Sequence, residues 1–197
     1  ARYEPATEAP AAAAVLVVPG AGVALPAERL VDALAADLPG ARLAVLAVQL
    51  PLLPRAAGLA DYAACEPAAL ARLEAAVARL RADGIDNIVL LGLDDGAALA
   101  ARALLAGLGD GAVSAFAARG RWQAEIAGLT LPRLELLPGS DAIAQAHSDA
   151  RARAVRGQAD GPPVRRRDYP GAGRDFAGHA DTLARDLRGW LRALAAS

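Results

Sequence analysis

The sequence contains no lysine and no methionine, and it has a single cysteine, Cys65, and two histidines. One cysteine excludes an internal disulfide. Two histidines and one cysteine provide no metal-ligand cluster, so we expect neither a metal site nor a cofactor. The missing methionine removes a natural start codon, which predicts that the chain has been trimmed. Removal of an export signal before Ala1 is one possible cause, and the predicted location is then the periplasm or the extracellular space.

Excess charge and long apolar runs are also missing. The net charge is -1, which gives no electrostatic basis for binding nucleic acid or an anionic membrane surface. The run from Arg165 to Arg167 is short and lacks interleaved aromatic residues, so a solvated face or a partner for carboxylates is expected there and not a nucleic-acid site. The longest uncharged stretch, residues 9–27, is mostly alanine and is interrupted by proline and glycine. No transmembrane segment is therefore predicted.

Small aliphatic side chains dominate the composition of the chain. Apolar residues make up 55% of the chain, whereas aromatic residues make up only 4%. This composition is typical of a folded domain whose core allows helices to pack closely on a sheet. We expect an extended lead-in over residues 1–13 and one domain over residues 14–197.

Short apolar runs alternate with helical patterns along that domain. The runs predict strands at residues 14–18, 43–48, 87–91, 112–116, 134–137 and 164–169. Helical spacing between them predicts helices near residues 30–38, 67–82, 96–108 and 143–156, and a last helix with Leu183, Leu187, Trp190, Leu191 and Leu194 on one face. The fold class is α/β, with a doubly wound, mostly parallel sheet and flanking helices.

Ligands of such sheets bind beyond the carboxyl ends of the strands. Four loops are expected there, at residues 18–22, 92–96, 139–141 and 170–176. The first loop contains Pro19, Gly20 and Ala21, but the G-x-G-x-x-G spacing of a dinucleotide site is absent and no acidic residue closes the second strand. A dinucleotide-dependent oxidoreductase is therefore disfavoured.

The order of strand, glycine loop, helix, strand, LPLLPR loop, helix, strand and G-x-x-x-G turn resembles the α/β-hydrolase superfamily. It is most similar to a small exported bacterial branch without a cap domain. In the superfamily this turn reads G-x-S-x-G and carries the nucleophile between strand and helix. Here the turn consists of Gly92, Leu93, Asp94, Asp95 and Gly96. The resemblance therefore places Asp94 at the nucleophile position.

The resemblance assigns the other catalytic positions too. Asp141 matches the acid, Arg174 stands where the family has its histidine, and Pro19, Gly20 and Ala21 match the loop that helps form the oxyanion hole. Arginine stays protonated and has no lone pair to accept a proton. The sequence therefore predicts a degenerate triad and a non-catalytic, exported binding or accessory subunit whose partner is another protein or protein complex.

One alternative keeps the chain catalytic. An aspartate at the turn can itself be the nucleophile and form an ester that a histidine-activated water cleaves. His179, five residues beyond Arg174, is the base in this alternative, whereas His147 is expected to be a solvated helix residue. In either case Asp94, Asp141 and Arg174 are expected to converge, with the guanidinium relieving the repulsion between the two carboxylates.

Overall fold

The computed structural model describes seven ranges of the chain. They are residues 1–8, 10–25, 28–108, 113–119, 129–155, 164–173 and 176–195. At Leu59, Val155, Ala195 and residues 113–119 only the backbone is described.

A seven-stranded sheet forms the centre of the fold, in the order β1-β3-β2-β4-β5-β6-β7. Its strands are β1 (Arg2–Glu4), β2 (Ala13–Val18), β3 (Leu43–Ala47), β4 (Ile88–Leu93), β5 (Val113–Arg119), β6 (Arg133–Pro138) and β7 (Val164–Tyr169). Among the strands of the described residues, only β1 is antiparallel, with Tyr3 opposite Leu46 of β3. The predicted doubly wound, mostly parallel sheet is confirmed, and a short strand is added within the expected lead-in.

Helices cover both faces of this sheet. They are α1 (Arg29–Asp37), α2 (Leu59–Ala64), α3 (Glu66–Ala82), α4 (Asp95–Leu105), α5 (Ala142–Val155) and α6 (Ala180–Ala195). The sequence did not predict α2. The predicted end of α4, at Leu108, is three residues too late. The helix ends at Leu105 because Gly107 adopts a φ of 81° and the amide of Leu108 donates a hydrogen bond to the carbonyl of Ala103. This left-handed glycine closes the last helical turn.

Alternate residues of the central strands supply two separate core layers. Leu16 and Leu90 face the layer covered by α3 and α4, whereas Val15 and Val89 face the layer covered by α1 and α6. Four side chains on the predicted face of α6 are buried, namely Leu183, Leu187, Trp190 and Leu191. The central strands of the sheet are buried on both faces, which explains why their sequences are continuous apolar runs. The described residues contain no cap domain over the sheet.

Among the described residues, none of the helices combines the length and the apolar character that crossing a bilayer requires.

Candidate active site

The turn between β4 and α4 has an unusual backbone at Asp94. Its φ is 51° and its ψ is -121°. Positive φ is sterically unfavourable for a residue with a Cβ atom, and such strain persists only where the surrounding structure enforces it. Asp94 immediately precedes α4, so its side chain lies at the carboxyl end of the central strand β4, where the resemblance placed a nucleophile.

Two glycines make this turn possible. A Cβ atom on Gly92 would lie 2.4 Å from the Cα of Ala97, and one on Gly96 would lie 2.3 Å from the carbonyl oxygens of Val18 and Pro19. Both distances are far below van der Waals contact. The turn is therefore pressed directly onto the end of β2, with no room for a side chain at either position.

The loop after β2 lies beside Asp94. An atom at the Cβ position of Gly20 would be 3.5 Å from the Cβ of Asp94, and the carbonyl of Gly20 accepts a hydrogen bond of 3.2 Å from the amide of Val23. Pro19 has no N–H to donate. Gly20, Ala21 and Asp95 do have backbone N–H groups, and that of Asp95 belongs to the first turn of α4, where amides lack intrahelical acceptors.

Asp141 lies at the carboxyl end of β6, and its described contacts are those of a helix cap. Its Oδ1 accepts hydrogen bonds of 3.0 Å from the amides of both Ile143 and Ala144. A carboxylate in this place also interacts favourably with the N-terminal dipole of α5. The side chain therefore has a structural role at the start of α5.

Hydrogen bonds join the loops that follow β6 and β7. The amide and hydroxyl of Ser140 both donate to the carbonyl of Ala172, at 3.1 and 2.5 Å, and the amide of Gly139 donates to the carbonyl of Tyr169 at 2.9 Å. Arg174 lies outside the described residues. The predicted network of Asp94, Asp141 and Arg174 therefore stays a prediction.

His179 lies after β7, directly before α6, and is partly buried. Its ring packs edge-on against the ring of Tyr169, with centroids 6.2 Å apart. The preceding loop turns twice through positive φ, at Phe176 (53°) and Gly178 (75°). The hydroxyl of Tyr169 donates a 3.0 Å hydrogen bond to Asp186, and burial, reinforced by this carboxylate, raises the pKa of Tyr169. His179 is thus held at the carboxyl end of the sheet.

A pocket of about 160 Å³ opens next to the turn. Its lining joins the turn to the loop after β2, the loop after β3, the α2–α3 junction and one face of α4: Ala21, Leu50, Pro51, Tyr62, Ala63, Cys65, Glu66, Ala69, Asp95, Gly96, Leu99 and Arg102. Sequence reasoning missed this pocket because it missed α2. The available signal was the three-residue spacing of Gly58 and Asp61. The carboxylate of Asp61 accepts a hydrogen bond of 2.8 Å from the amide of Gly58 and so caps the start of α2.

The described residues contain no group of three or more His, Cys, Asp or Glu side chains that could hold a metal ion.

Comparison with known proteins finds similarity in structure alone. No family model matches the chain, and no curated protein matches its sequence. The esterase domain of a Rhodothermus marinus protein superposes with a TM-score of 0.68 at 17% identity, covering 97% of this chain and 91% of that one. XC6422 from Xanthomonas campestris, described as an α/β serine hydrolase without a lid, gives 0.65 at 19% identity, covering 98% and 85%. A soluble variant of monoglyceride lipase from Saccharomyces cerevisiae gives 0.68 at 12% identity, covering 98% and 90%.

These matches correct the functional expectation from the sequence. A non-catalytic binding or accessory subunit was predicted because Asp94 and Arg174 replace the usual serine and histidine. The similar structures are instead an esterase, a serine hydrolase and a lipase, and none of them is described as non-catalytic. The prediction is contradicted, and the alternative of a hydrolase with Asp94 at the turn agrees better with the comparisons.

Proposed function

We propose that this chain, which has the α/β-hydrolase fold, is a hydrolase whose nucleophile is the carboxylate of Asp94. The observation that carries the proposal is the backbone of Asp94, held at φ 51° between two glycines that admit no side chain. Maintaining such a conformation costs about 1–3 kcal/mol. A turn that only connected a strand to a helix would not need this conformation, whereas a nucleophile that must project from the sheet does.

A carboxylate nucleophile favours attack on an alkyl carbon. An oxygen of Asp94 forms a bond to that carbon, and the bond to the leaving group breaks. The electron pair departs on a halide ion, or on an epoxide oxygen that takes up a proton from water and stays in the product as a hydroxyl group. The product is an alkyl ester of Asp94. Attack on a carboxylic ester would give an anhydride instead, so alkyl substrates with a leaving group are the proposed class.

Hydrolysis of this ester regenerates the enzyme. Water attacks the Cγ of Asp94 and gives up a proton to a base, and the tetrahedral oxyanion accepts hydrogen bonds from the backbone N–H groups of Asp95 and of Gly20 or Ala21. The oxyanion then collapses, the bond from Cγ to the alkyl oxygen breaks, and the alcohol leaves with the proton returned by the base. The oxygen of the water remains on Cγ, and the carboxylic acid that forms releases its proton to solvent, which restores the carboxylate of Asp94.

His179 is the proposed base. It lies in the loop that follows β7 at the carboxyl end of the sheet, the same end as Asp94, and is partly buried against Tyr169. A neutral imidazole has a ring nitrogen with a lone pair that can accept a proton, whereas the guanidinium of Arg174 has none. His147, the other histidine, lies within α5 and has no proposed role in catalysis.

Oxygen labelling of Asp94 tests the proposal. The protein is incubated in heavy-oxygen water with butyl bromide or an aliphatic epoxide, and the peptide containing Asp94 is analysed by mass spectrometry. We expect a heavy oxygen in Asp94 after turnover and none without substrate. Asp94→Asn should lose activity, whereas Asp86→Asn, at the opposite end of β4, should retain both activity and label. Absence of alcohol product, or product without label in Asp94, would contradict the proposal.

The role of the base is tested with the two histidines. His179→Gln should slow the second step, so that the alkyl ester of Asp94 accumulates and the mass of the intact protein rises by one alkyl group. His147→Gln should behave as the unmodified protein. Equal behaviour of the two variants would exclude His179 as the base.

Export to the periplasm or beyond and association with another protein are separate proposals. Cell fractionation tests the first, and the mass of the native assembly tests the second.

A further inference from the structure

The outer edge of β7 is open. This strand pairs with β6 on one side, and among the described residues no strand lies on its other side. Residues 164–168, which are all of β7 except its last residue, are exposed. Successive residues of a strand direct their backbone N–H and C=O groups alternately to the two sides, so every second residue of β7 offers them at this edge. An extended chain can therefore add to the sheet here through backbone hydrogen bonds.

The arginine in the middle of β7 is neutralised within the fold. Arg166 forms an ion pair with Asp149 of α5 at 2.8 Å and a second one with Asp168 of its own strand at 2.9 Å. It also donates a hydrogen bond to Gln145 of α5. The side chain of Arg166 therefore lies on the face of the sheet that α5 covers, and two carboxylates balance its charge there.

Arg165 and Arg167 lie on the opposite face. Side chains alternate between the faces of a strand, so both arginines share a face with Tyr169, which packs in the core layer covered by α1 and α6. Their neighbours on β6 are Leu134 and Leu136, which are buried in the same layer. Both arginines are exposed, and neither forms a hydrogen bond or an ion pair with another residue that the structure describes. The open edge therefore carries two positive charges that no described carboxylate balances.

The spacing of these two charges determines which strand fits beside them. Residues two apart on an added strand have the same spacing and point to one face, so carboxylates at alternate positions would each meet one arginine. Opposite charges on neighbouring strands stabilise a sheet, whereas like charges directly opposite each other destabilise it. An antiparallel second copy of β7 would bring the arginines of both chains onto one face, which disfavours self-pairing. The whole chain has a net charge of -1, so this positive edge is a local feature.

We propose that the outer edge of β7 binds an extended segment of another protein that carries aspartate or glutamate at every second position. The backbone of β7 holds this segment as an additional strand. Arg165 and Arg167 select the segment by forming ion pairs with its carboxylates. Arg166 faces α5 and does not take part. This assignment does not depend on Asp94 or on the proposed hydrolase function.

A short peptide of alternating valine and glutamate tests the proposal on the unmodified protein, and fluorescence anisotropy of the labelled peptide measures its binding. We expect it to bind more than about tenfold more tightly than a peptide of alternating valine and lysine, because each of two exposed ion pairs contributes roughly a factor of three. Raising the salt concentration from about 0.1 M to about 1 M should weaken the binding. No binding of the glutamate peptide, or equal binding of the lysine peptide, would overturn the proposal.

Matched arginine variants locate the binding. The double variant Arg165→Gln with Arg167→Gln should bind the glutamate peptide about tenfold more weakly, because both ion pairs are lost. Arg29→Gln with Arg55→Gln removes the same charge from exposed positions at the start of α1 and in the loop after β3. This control should keep its affinity within about twofold, because distant charges are screened at about 0.1 M salt. Equal losses in the two double variants would reveal a general charge effect and contradict the assignment to β7.

Methylation of the peptide backbone tests whether an added strand forms. Only one side of the peptide faces β7, so N-methyl groups on the valines or on the glutamates, but not on both, block the backbone hydrogen bonds. One of the two methylated peptides should therefore lose binding and the other should keep it. Equal affinities of the two methylated peptides would mean that charge alone holds the peptide, and the proposed strand would be wrong.

Two further measurements distinguish other occupants of this edge. A single-stranded oligonucleotide of the same net charge should bind more weakly than the glutamate peptide, because it lacks the peptide backbone that pairs with β7. The protein should also keep the same mass in ultracentrifugation with and without the peptide, apart from the peptide itself. Tighter binding of the oligonucleotide, or a protein dimer that the peptide dissociates, would assign the edge to nucleic acid or to a second copy and overturn the proposal.

Discussion

The two carboxylates at the carboxyl edge of the sheet are held in place by different physical means. At Asp94, backbone is packed against backbone: Gly92 touches α4 and Gly96 touches the end of β2. Asp141 is held by polar contacts. Its carboxylate caps α5, and the adjacent Ser140 donates a hydrogen bond to the carbonyl of Ala172. One region depends on the absence of side chains and the other on their hydrogen bonds.

The polar region extends into a buried ion pair beneath Asp141. Glu135 of β6 accepts hydrogen bonds from Arg151 of α5 at 2.8 and 3.2 Å and from the hydroxyl of Ser148 at 2.5 Å. All three side chains are buried, with Glu135 only 4% exposed. Arg166 of β7 adds a more exposed pair with Asp149 of α5 at 2.8 Å. Charge therefore joins β6, β7 and α5 where the central strands use apolar packing.

The two regions are expected to respond differently to amino-acid substitutions. A close backbone contact cannot accept even one added methyl group. A buried ion pair tolerates loss of both partners better than loss of one, because a single remaining buried charge has neither water nor a counterion. Three measurements of stability test this difference, in decreasing order of expected effect.

Arg151→Leu should have the largest effect, lowering the free energy of unfolding by about 3–5 kcal/mol, because the Glu135 carboxylate remains buried without its main partner. The double variant Glu135→Leu with Arg151→Leu should recover most of this loss. Urea unfolding of both variants is the measurement. A double variant as unstable as the single one would show that packing, and not charge compensation, holds this region.

Gly96→Ala should lower the free energy of unfolding by about 2–3 kcal/mol, because its methyl group would meet two backbone carbonyl oxygens that cannot rotate away. Gly189→Ala is the matched control: its methyl group meets nothing within 4 Å on α6, and it should stabilise the protein by about 0.5–1 kcal/mol. The same urea experiment compares them. A Gly96→Ala variant as stable as the unmodified protein would disprove the steric account of the turn.

Tyr169 should give the smallest effect, and only in alkali. Its raised pKa means that the folded state keeps the phenolic proton while the unfolded chain loses it near pH ~10. The contribution is complete below pH ~10 and decreases above it by about 1.4 kcal/mol per pH unit. With no lysine in the chain, tyrosines dominate titration in this range.

Unfolding measured across this pH range should therefore show a steep loss of stability, and Tyr169→Phe should remove most of it. Tyr3→Phe is the comparison. Burial and a hydrogen bond with Asp83 also raise the pKa of Tyr3, but its ring is less buried than that of Tyr169. Tyr3→Phe should remove less of the slope. An unchanged slope in Tyr169→Phe would contradict the assignment.

Individual elements show where sequence reasoning succeeds. The predicted bounds of β7, residues 164–169, match the structure, and β2 differs by one residue. These segments are marked locally, by apolar or β-favouring runs bounded by proline and glycine. The three residues of β1 carry no such pattern and become a strand because the edge of β3 offers them unpaired backbone groups. The prediction of a non-catalytic function failed because residue identities alone were taken to decide it.

By itself, the sequence determined the alternating architecture and the turn that presents Asp94, because apolar runs and glycine spacing act over a few neighbouring residues. The pocket was decided only by the tertiary structure, since its lining comes from segments as far apart as Ala21 and Arg102. The same holds for the buried pair of Glu135 and Arg151 and for the position of His179 against Tyr169. Their contacts depend on how helices cross the sheet, which is determined by packing throughout both core layers.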